Sequence, residues 1–253
     1  MDLHLADRVA LVTGGAVGLG RAISLGFAAE GARVAVNAHA HLDQAEALVE
    51  EIRQKYRVDA FAVRADVSSE AEVQKMFRAI LDRFGRLDIL VNNAALCPTC
   101  DVKDLSIADW TRTIEVNLTG TFLCSREMVR QLVAAGRPGR IVNVSSQAAF
   151  RGSTTGHAPY DASKGGIVSL TVSMAREVAR HGIAVNAVAP GMMLTDMTAK
   201  ALEANREKYL ARIPLGRIGD TSEIADVVVF LASDRASYMT GATVDVSGGM
   251  LMR

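Results

Sequence analysis

A tyrosine and a lysine stand four positions apart in the segment Tyr160-Asp-Ala-Ser-Lys164. The segment begins a stretch of helical periodicity, and residues at this spacing lie on the same face of a helix. An ammonium about 4 Å from a phenolate stabilises the phenolate by about 4 kcal/mol at an effective dielectric constant of about 20. This is enough to lower the pKa of the tyrosine from about 10 to about 7. The spacing therefore predicts a general acid and base. The alternative is an ordinary surface pair on a helix.

A serine and an asparagine are the next candidates for polar chemistry. Ser146 follows the β-branched run that ends at Val144, and ligands bind at the carboxyl ends of parallel strands. Ser145 precedes it, and alternation along a strand would point the two hydroxyls in different directions. Asn117 lies in an otherwise apolar helical segment, where an amide is unfavourable unless it has a task. Alternatively, Asn117 is buried and its amide forms hydrogen bonds with backbone groups, which is compatible with a functional role.

A glycine-rich segment, Thr13-Gly-Gly-Ala-Val-Gly-Leu-Gly20, joins the first predicted strand to the first predicted helix. Glycines allow a tight turn and a close approach of the backbone to a pyrophosphate, and the helix N-terminus offers free N–H groups. A strand–helix turn can also need glycines for its geometry alone. The position of the segment favours a dinucleotide-binding turn.

Metal and thiol chemistry are not expected. The five histidines show no H-E-x-x-H or similar spacing, so no metal site is predicted. Cys97 and Cys100 have C-x-x-C spacing but no second ligand pair, and Cys124 stands alone, so we interpret the pair as two cysteines in a loop.

Charge and hydropathy exclude other classes of function. The chain has 28 basic and 28 acidic residues, which leaves no field to attract nucleic acid or an anionic membrane. No apolar run reaches the roughly 20 residues of a membrane span. Residues 1–8 have no signal-peptide pattern, and the three cysteines fit a reducing, cytoplasmic setting.

Short β-branched runs alternate with longer helical segments along the chain. This alternation predicts an α/β fold with a single doubly wound parallel sheet, Rossmann-like, of about seven strands with helices on both faces. We expect one domain over residues 1–253, with a lid-like insertion at about 192–217. The predicted strands are Val9–Thr13, Arg33–Asn37, Val58–Arg64, Leu87–Val91, Arg140–Val144, Ile183–Val188 and Thr243–Val246. The predicted helices are Leu19–Glu30, Leu42–Lys55, Glu70–Phe84, Trp110–Ala135, Tyr160–His181 and Ser222–Ser233.

Five motifs together carry a resemblance to a known family. They are the glycine turn, Asn92-Asn-Ala-Ala95, Asn117, Ser146 with Tyr160-x-x-x-Lys164, and Pro190-Gly191 followed by Thr195. In this order the chain resembles, nearly end to end, the classical subgroup of the short-chain dehydrogenase/reductase family. The resemblance implies an NAD(P)-dependent oxidoreductase that interconverts a carbonyl and a secondary alcohol. The alternative is a non-catalytic dinucleotide-binding sensor or scaffold on the same fold.

The resemblance also implies a role for each matching residue. Ser146 would hold the substrate oxygen, Lys164 would bind the nicotinamide ribose, and Asn117 would hold a water that links Lys164 to solvent. The implied catalytic residues are Asn117, Ser146, Tyr160 and Lys164. The implied cofactor-binding residues are Gly14, Val17, Gly18, Leu19, Gly20, Ala38, His39, Asp66, Val67, Asn93, Ala94, Tyr160, Lys164, Pro190, Gly191 and Thr195. Relatives of this type commonly assemble as homotetramers, and the apolar tail Met250-Leu-Met252 is consistent with burial in such a contact.

The preference between the two nicotinamide cofactors depends on the residues after the second strand. An acidic side chain there selects NAD(H), whereas a basic one favours the 2′-phosphate of NADP(H). Ala38 stands where the acid is expected and His39 where many NADP enzymes carry arginine, while Val17 replaces a basic residue of the glycine turn. The segment favours NADP(H) over NAD(H) and leaves dual use open.

The sequence does not decide between two classes of substrate. Gln147 and His157 could hydrogen-bond a sugar or polyol, whereas Met192, Met193 and Met197 would suit the chain of a 3-oxoacyl thioester. Phe150 is a further candidate for the pocket. A methionine cluster is more often core packing than a recognition surface. The segment from Ser146 to Tyr160 is one residue longer than is usual in the family, so its substrate contacts are not implied by the resemblance.

Overall fold

The computed structural model describes residues 2–153 and 156–252, apart from the side chains of residues 196, 197, 200 and 201. Within these residues, seven strands form one sheet in the order β3-β2-β1-β4-β5-β6-β7, and every neighbouring pair is parallel. The strands are β1 (Val9–Val12), β2 (Arg33–Ala38), β3 (Ala60–Arg64), β4 (Ile89–Asn92), β5 (Gly139–Val144), β6 (Ile183–Pro190) and β7 (Thr243–Val246). The predicted fold class is confirmed.

Helices connect the strands and cover both faces of the sheet. They are α1 (Gly18–Ala29), α2 (Leu42–Tyr56), α3 (Glu70–Phe84), α4 (Ile107–Ile114), α5 (Gly120–Ala134), α6 (Ala148–Arg151), α7 (Ala158–Val178), α8 (Asp196–Leu210) and α9 (Thr221–Ala232). None of the helices among the described residues combines the length and the apolar character that a membrane crossing requires.

The core lies in two layers because successive residues of a strand point to opposite faces. In β1, Ala10 and Val12 join the layer that packs against α1 and α9. Val9 and Leu11 join the other layer, which contains side chains of α3, α5 and α7. All four residues of β1 are buried. Strands buried on both faces read as continuous apolar runs, and this is the pattern that the sequence shows.

The long helix predicted from Trp110 to Ala135 differs from the structure. It begins earlier, at Ile107, and is interrupted by one π-helical turn at Glu115–Thr119. Such turns are often found at functional sites. The helix predicted to begin at Tyr160 starts at Ala158, because Pro159 fits the first turn of a helix.

All strands end at the same edge of the sheet, and the strand order reverses between β1 and β4. Ligands of doubly wound sheets bind outside the carboxyl ends of the strands near such a reversal. The glycine turn follows β1, Asn93 and Ala94 follow β4, and Ser146 follows β5. The fold therefore brings these sequence-predicted residues to one edge.

Candidate active site

The turn between β1 and α1 is shaped by glycine. Gly14 and Gly18 have positive φ angles of 58° and 51°. A Cβ on Gly20 would lie 2.0 Å from the carbonyl oxygen of Gly14, so no side chain fits there. Helix α1 has no side-chain cap and no acidic residue in its first turn. Its first N–H groups and the positive end of its dipole are therefore suited to the diphosphate of a dinucleotide.

Asn93 and Asn37 hold this turn in place. The Asn93 side-chain amide donates to the carbonyl oxygens of Thr13 and Gly14 at 2.9 and 3.1 Å. Asn37 is buried, accepts a hydrogen bond from the N–H of Gly14, and donates to the carbonyl oxygens of Val63 and Ala65. Asn93, which the resemblance assigns to the cofactor, therefore also fixes the glycine turn, and no sequence pattern indicated the structural role of Asn37.

The residues after β6 lie beside the glycine turn. The N–H of Gly191 donates to the carbonyl oxygen of Val246 at 3.0 Å, which fixes the end of β6 against β7. Thr195 caps the N-terminus of α8 and forms a capping box with Thr198. A Cβ on Gly18 would lie 3.7 Å from the side chain of Thr195, so the start of the predicted lid reaches the glycine turn.

Ser145 and Ser146 have separate partners, as strand alternation predicts. The Ser145 hydroxyl donates to the carbonyl oxygen of Lys164 at 2.9 Å, which ties β5 to α7. The Ser146 hydroxyl accepts the N–H of Ala148 at 3.1 Å and lies close enough to the phenol of Tyr160 to act on its pKa. Ser146 is therefore the serine that faces the tyrosine.

Lys164 and Tyr160 are neighbours, but not in the way the sequence predicts. The Lys164 ammonium donates to the carbonyl oxygen of Val144 at 2.6 Å and lies over the Tyr160 ring, 5.5 Å from its centroid. Lys164 is buried, and this burial lowers its pKa to about 8.

The prediction of a lowered pKa for Tyr160 is wrong for this structure, in which the pKa of the phenol is raised. Burial raises the pKa of the phenol above its ordinary value, and the nearby Cys97 and Asp161 raise it further. The Ser146 hydroxyl acts on this pKa in the opposite direction but is the weaker influence. Burial disfavours the charged form of each group, so the phenol keeps its proton more firmly and the ammonium gives its proton up more easily.

Asn117 lies in the π-helical turn. Its amide donates to the carbonyl oxygen of Leu96 at 2.9 Å and to the hydroxyl of Ser163 at 3.0 Å, and its side-chain oxygen accepts the N–H of Leu96 at 2.8 Å. The Ser163 hydroxyl in turn donates to the carbonyl oxygen of Tyr160 at 2.6 Å. The buried asparagine is thus satisfied by its surroundings, and its role in a water relay stays a prediction.

Asp66 is held by its own neighbours after β3. Its carboxylate accepts hydrogen bonds from Ser68 and pairs with Arg112 at 2.8 Å. Burial acts to raise the pKa of Asp66, but the hydrogen bonds from Ser68 and the charge of Arg112 outweigh it and lower that pKa to about 2. Val67 is buried beside Gly120. Contact of Asp66 and Val67 with an adenine ring stays a prediction.

The region that would receive the adenosine ribose has little charge. Ala38 is buried at the end of β2, and His39 and Val17 are exposed. A cavity of about 360 Å³ lies beside the glycine turn, between α1 and α2. Its lining includes Val17, Gly18 and Arg21, and the guanidinium of Arg21 is paired with Glu51 at 2.6 Å.

The predicted substrate residues have different surroundings in the structure. Gln147 follows Ser146, and its side-chain oxygen is buried without a protein partner. His157 places Nδ1 3.1 Å from the carbonyl oxygen of Pro98 and 3.6 Å from Sγ of Cys97. Met192 is half-buried, whereas Met193 packs against the core. The side chain of Met197 lies outside the described residues.

Cys97 is closer to this site than its loop position suggested. Burial, and then Asp161, raise the pKa of its thiol to about 11, and Lys164 acts in the opposite direction. Cys100 lies in the same loop, where its N–H donates to the carbonyl oxygen of Gly156 at 2.8 Å. Both cysteines are free, and the described residues include no cluster of His, Cys, Asp or Glu that could hold a metal ion.

A dinucleotide-binding turn and an acid–base cluster at the same edge of a doubly wound sheet are the two halves of an oxidoreductase that uses a nicotinamide cofactor. Comparison with known proteins identifies the family of oxidoreductases to which the chain is similar. The family described as enoyl-(acyl carrier protein) reductase matches residues 14–251.

Curated relatives match over almost the whole chain. A 3-oxoacyl-(acyl-carrier-protein) reductase of Staphylococcus aureus is 44% identical over 96% of this chain and 98% of its own length. A reductase of the same description from Aquifex aeolicus is 42% identical over 99% of this chain and 100% of its own. A short-chain type dehydrogenase/reductase from Mycobacterium marinum has a crystal structure that superposes with a TM-score of 0.94, at 31% identity, over 100% of this chain and 98% of its own. The chain belongs to the short-chain dehydrogenase/reductase family.

Proposed function

We propose that this chain uses NAD(P)H to reduce a carbonyl group to a secondary alcohol, and catalyses the reverse reaction, with Tyr160 as the acid and base. The observation that carries the proposal is the position of the Lys164 ammonium over the Tyr160 ring, 5.5 Å from its centroid, with Ser146 close enough to act on the pKa of the phenol. The 3-oxoacyl-(acyl-carrier-protein) reductases that the chain resembles are named for the same change at a carbonyl.

The nicotinamide, when bound, supplies or accepts the hydride. The Ser146 hydroxyl holds the substrate oxygen beside the phenol, and Tyr160 donates its proton to that oxygen as negative charge develops there. The raised pKa of Tyr160 keeps the phenol protonated at neutral pH, which suits the acid of a reduction. The Lys164 charge then stabilises the phenolate that remains, and Asn117 holds the water through which the proton is replaced.

For the cofactor, we propose that NADP(H) is preferred, with NAD(H) also used. Ala38 ends β2 without a carboxylate, so the position offers no acceptor for a ribose 2′-hydroxyl and no repulsion against a 2′-phosphate. The exposed His39 follows it and can add positive charge.

A homotetramer that works in the cytoplasm is the assembly and location we propose. Large apolar side chains are exposed on the long helices, among them Trp110, Phe122 and Val172. Such exposed apolar groups mark contact surfaces. The free thiols of Cys97, Cys100 and Cys124 fit a reducing compartment.

An absorbance assay separates this function from that of a non-catalytic dinucleotide sensor. The purified chain is mixed with NADPH or NADH and a panel of ketones, ketoses and 3-oxoacyl thioesters, and the loss of reduced nicotinamide is followed. Turnover is expected, with kcat/KM higher for NADPH than for NADH. Tight binding of NADPH with no turnover of any carbonyl compound would favour the sensor instead.

A further inference from the structure

Gln147 presents an acceptor that no group among the described residues satisfies. It follows Ser146 directly, and its N–H donates to the carbonyl oxygen of Pro190 at 3.0 Å, so it lies between the ends of β5 and β6. Its side-chain oxygen is buried without a partner. An unsatisfied buried acceptor costs about 1–3 kcal/mol, so the position favours a ligand that brings a hydrogen-bond donor.

Asp161, the residue after Tyr160, presents a second unsatisfied acceptor. Its Oδ2 accepts the N–H and the hydroxyl of Ser153 at 2.6 and 2.5 Å, which fixes the carboxylate against the loop before α7. Its Oδ1 is buried without a partner. The carboxylate raises the pKa of both Tyr160 and Cys97, so its charge is felt at the reacting phenol. A negative charge there disfavours an anionic substrate and favours hydroxyl groups.

His157 offers a third acceptor at the same end of α7. Its Nδ1 lies 3.1 Å from the carbonyl oxygen of Pro98, which can only accept. The proton of the neutral ring therefore sits on Nδ1, and Nε2 is left as the acceptor.

Cations are scarce among the described residues around these acceptors. In residues 93–101, 146–153 and 156–164, the basic side chains besides His157 are Arg151 and Lys164. Arg151 donates to the carbonyl oxygen of Met250, and Lys164 donates to that of Val144. Met193, which would suit an acyl chain, packs against the core and bridges to Gly219 instead. Both basic side chains of these ranges are thus engaged by backbone carbonyl oxygens.

We infer that the substrate is an uncharged polyhydroxylated compound, a ketose or the corresponding polyol, rather than an acyl thioester. The hydroxyl groups beside the reacting carbon donate to Gln147, Asp161 and His157. This inference rests on the proposed function and names the substrate class for that same site.

The test compares substrates of one length in one direction. Reduction by NADPH is measured with both enantiomers of xylulose and ribulose, with ketohexoses, with 2-pentanone, and with the 3-oxopentanoyl thioester of N-acetylcysteamine. The best ketose is expected to have a kcat/KM at least about tenfold above that of the thioester, because a site built to hydrogen-bond hydroxyls discriminates against compounds that lack them. A thioester or 2-pentanone preferred over every ketose overturns the inference.

Two glutamine variants show whether Gln147 is responsible for the expected preference for a ketose. Gln147→Met keeps the size of the side chain and removes the acceptor, and it is expected to lower the ratio of kcat/KM for the ketose to that for 2-pentanone about tenfold. Gln131→Met is the matched control, because the side-chain oxygen of Gln131 in α5 is also buried without a partner, far from the catalytic pair in sequence. The control is expected to leave the ratio unchanged. A ratio unaffected by Gln147→Met contradicts the inference.

Failure of the inference and failure of the proposed function give different results. If the thioester alone is reduced, the proposed function stands and the substrate class is wrong. If no carbonyl compound is reduced while NADPH still binds, both are wrong.

Discussion

At the scale of single residues, burial decides the chemistry of the Tyr160–Lys164 pair. Lys164 is buried and Tyr160 is half-buried, and this burial pushes each group towards its neutral form. A phenol that keeps its proton is ready to act as an acid, and an ammonium with a pKa of about 8 is still mostly charged at neutral pH. A protonated phenol of this kind is what the proposed carbonyl reduction requires.

The pKa of Lys164 predicts how stability depends on pH. In the unfolded chain the pKa is 10.5 and in the folded chain about 8, so the folded chain binds fewer protons between these values and its stability rises with pH. The shift corresponds to about 3 kcal/mol, most of it gained between pH 8 and pH 10. Unfolding by denaturant of the cofactor-free wild type and of Lys164→Met should show the wild type gaining stability relative to the variant over this range.

The comparison with Lys164→Met removes the contributions of other groups that titrate in both proteins. A stability difference that is constant from pH 7 to pH 10 would show that Lys164 has an ordinary pKa. A difference that falls as pH rises would show a pKa shifted in the other direction.

Sequence reasoning singled out Ser146, Tyr160 and Lys164, and the structure places these residues close to one another, while their catalytic roles stay a prediction. It gave the wrong direction for the pKa of Tyr160, because residue spacing shows which groups are neighbours but not how much water reaches them. The unsatisfied oxygen of Asp161 was missed for a related reason. Its two bonds to Ser153 depend on the path of the loop before α7, which no pattern in the sequence determines.

At the scale of elements, the turn between β1 and α1 is the feature least tolerant of change. Gly20→Ala would place a Cβ 2.0 Å from the carbonyl oxygen of Gly14, so the turn has to open. We expect this variant to bind NADPH at least about a hundredfold more weakly, because the helix N–H groups are displaced from the diphosphate. Binding can be measured by isothermal titration calorimetry.

Gly165→Ala is the matched control for that substitution. It lies within α7, and its Cβ would meet its nearest neighbour, the carbonyl oxygen of Ala149, at an ordinary 3.7 Å. Alanine is the better helix former by about 1 kcal/mol, so this variant should bind NADPH normally and melt at the same or a higher temperature. Equal losses of binding in the two variants would contradict the account of the turn.

Long elements were predictable and short irregular ones were not. Helix α3, with 15 residues, has the predicted bounds, because periodicity and flanking signals agree there. The π-helical turn at Glu115–Thr119 leaves the apolar pattern of the surrounding helix almost unchanged, so periodicity cannot reveal it. Helix α6 has four residues, too few to show a period.

At the scale of the whole molecule, the doubly wound sheet collects residues from distant parts of the chain at one edge. The glycine turn follows β1, Ser146 follows β5 and Thr195 follows β6, and parallel strands guarantee that these ends meet. The strand order itself was predictable only as a class, since alternation of strands and helices is compatible with several orders.

The exposed apolar side chains of the long helices lead to a prediction about assembly. Sedimentation should show a species of about four times the 26.9 kDa chain mass. Phe122→Glu, at a side chain that is 42% exposed on α5, should shift the population to smaller species, because a charge cannot be buried there without a partner. Gln54→Glu, at an exposed position on α2, is the control and should not change the mass. A wild type that sediments as a monomer would refute the proposed tetramer.

The central claim is that Tyr160 transfers the proton, and one substitution tests it most directly. In Tyr160→Phe, kcat for carbonyl reduction should fall by about a hundredfold to ten-thousandfold, the usual contribution of a positioned acid, while NADPH binding changes by less than about threefold. Tyr56→Phe, in the last turn of α2, should keep wild-type values for both. If Tyr160→Phe retained kcat close to that of Tyr56→Phe, the proton would come from another group and the account of this site would be wrong.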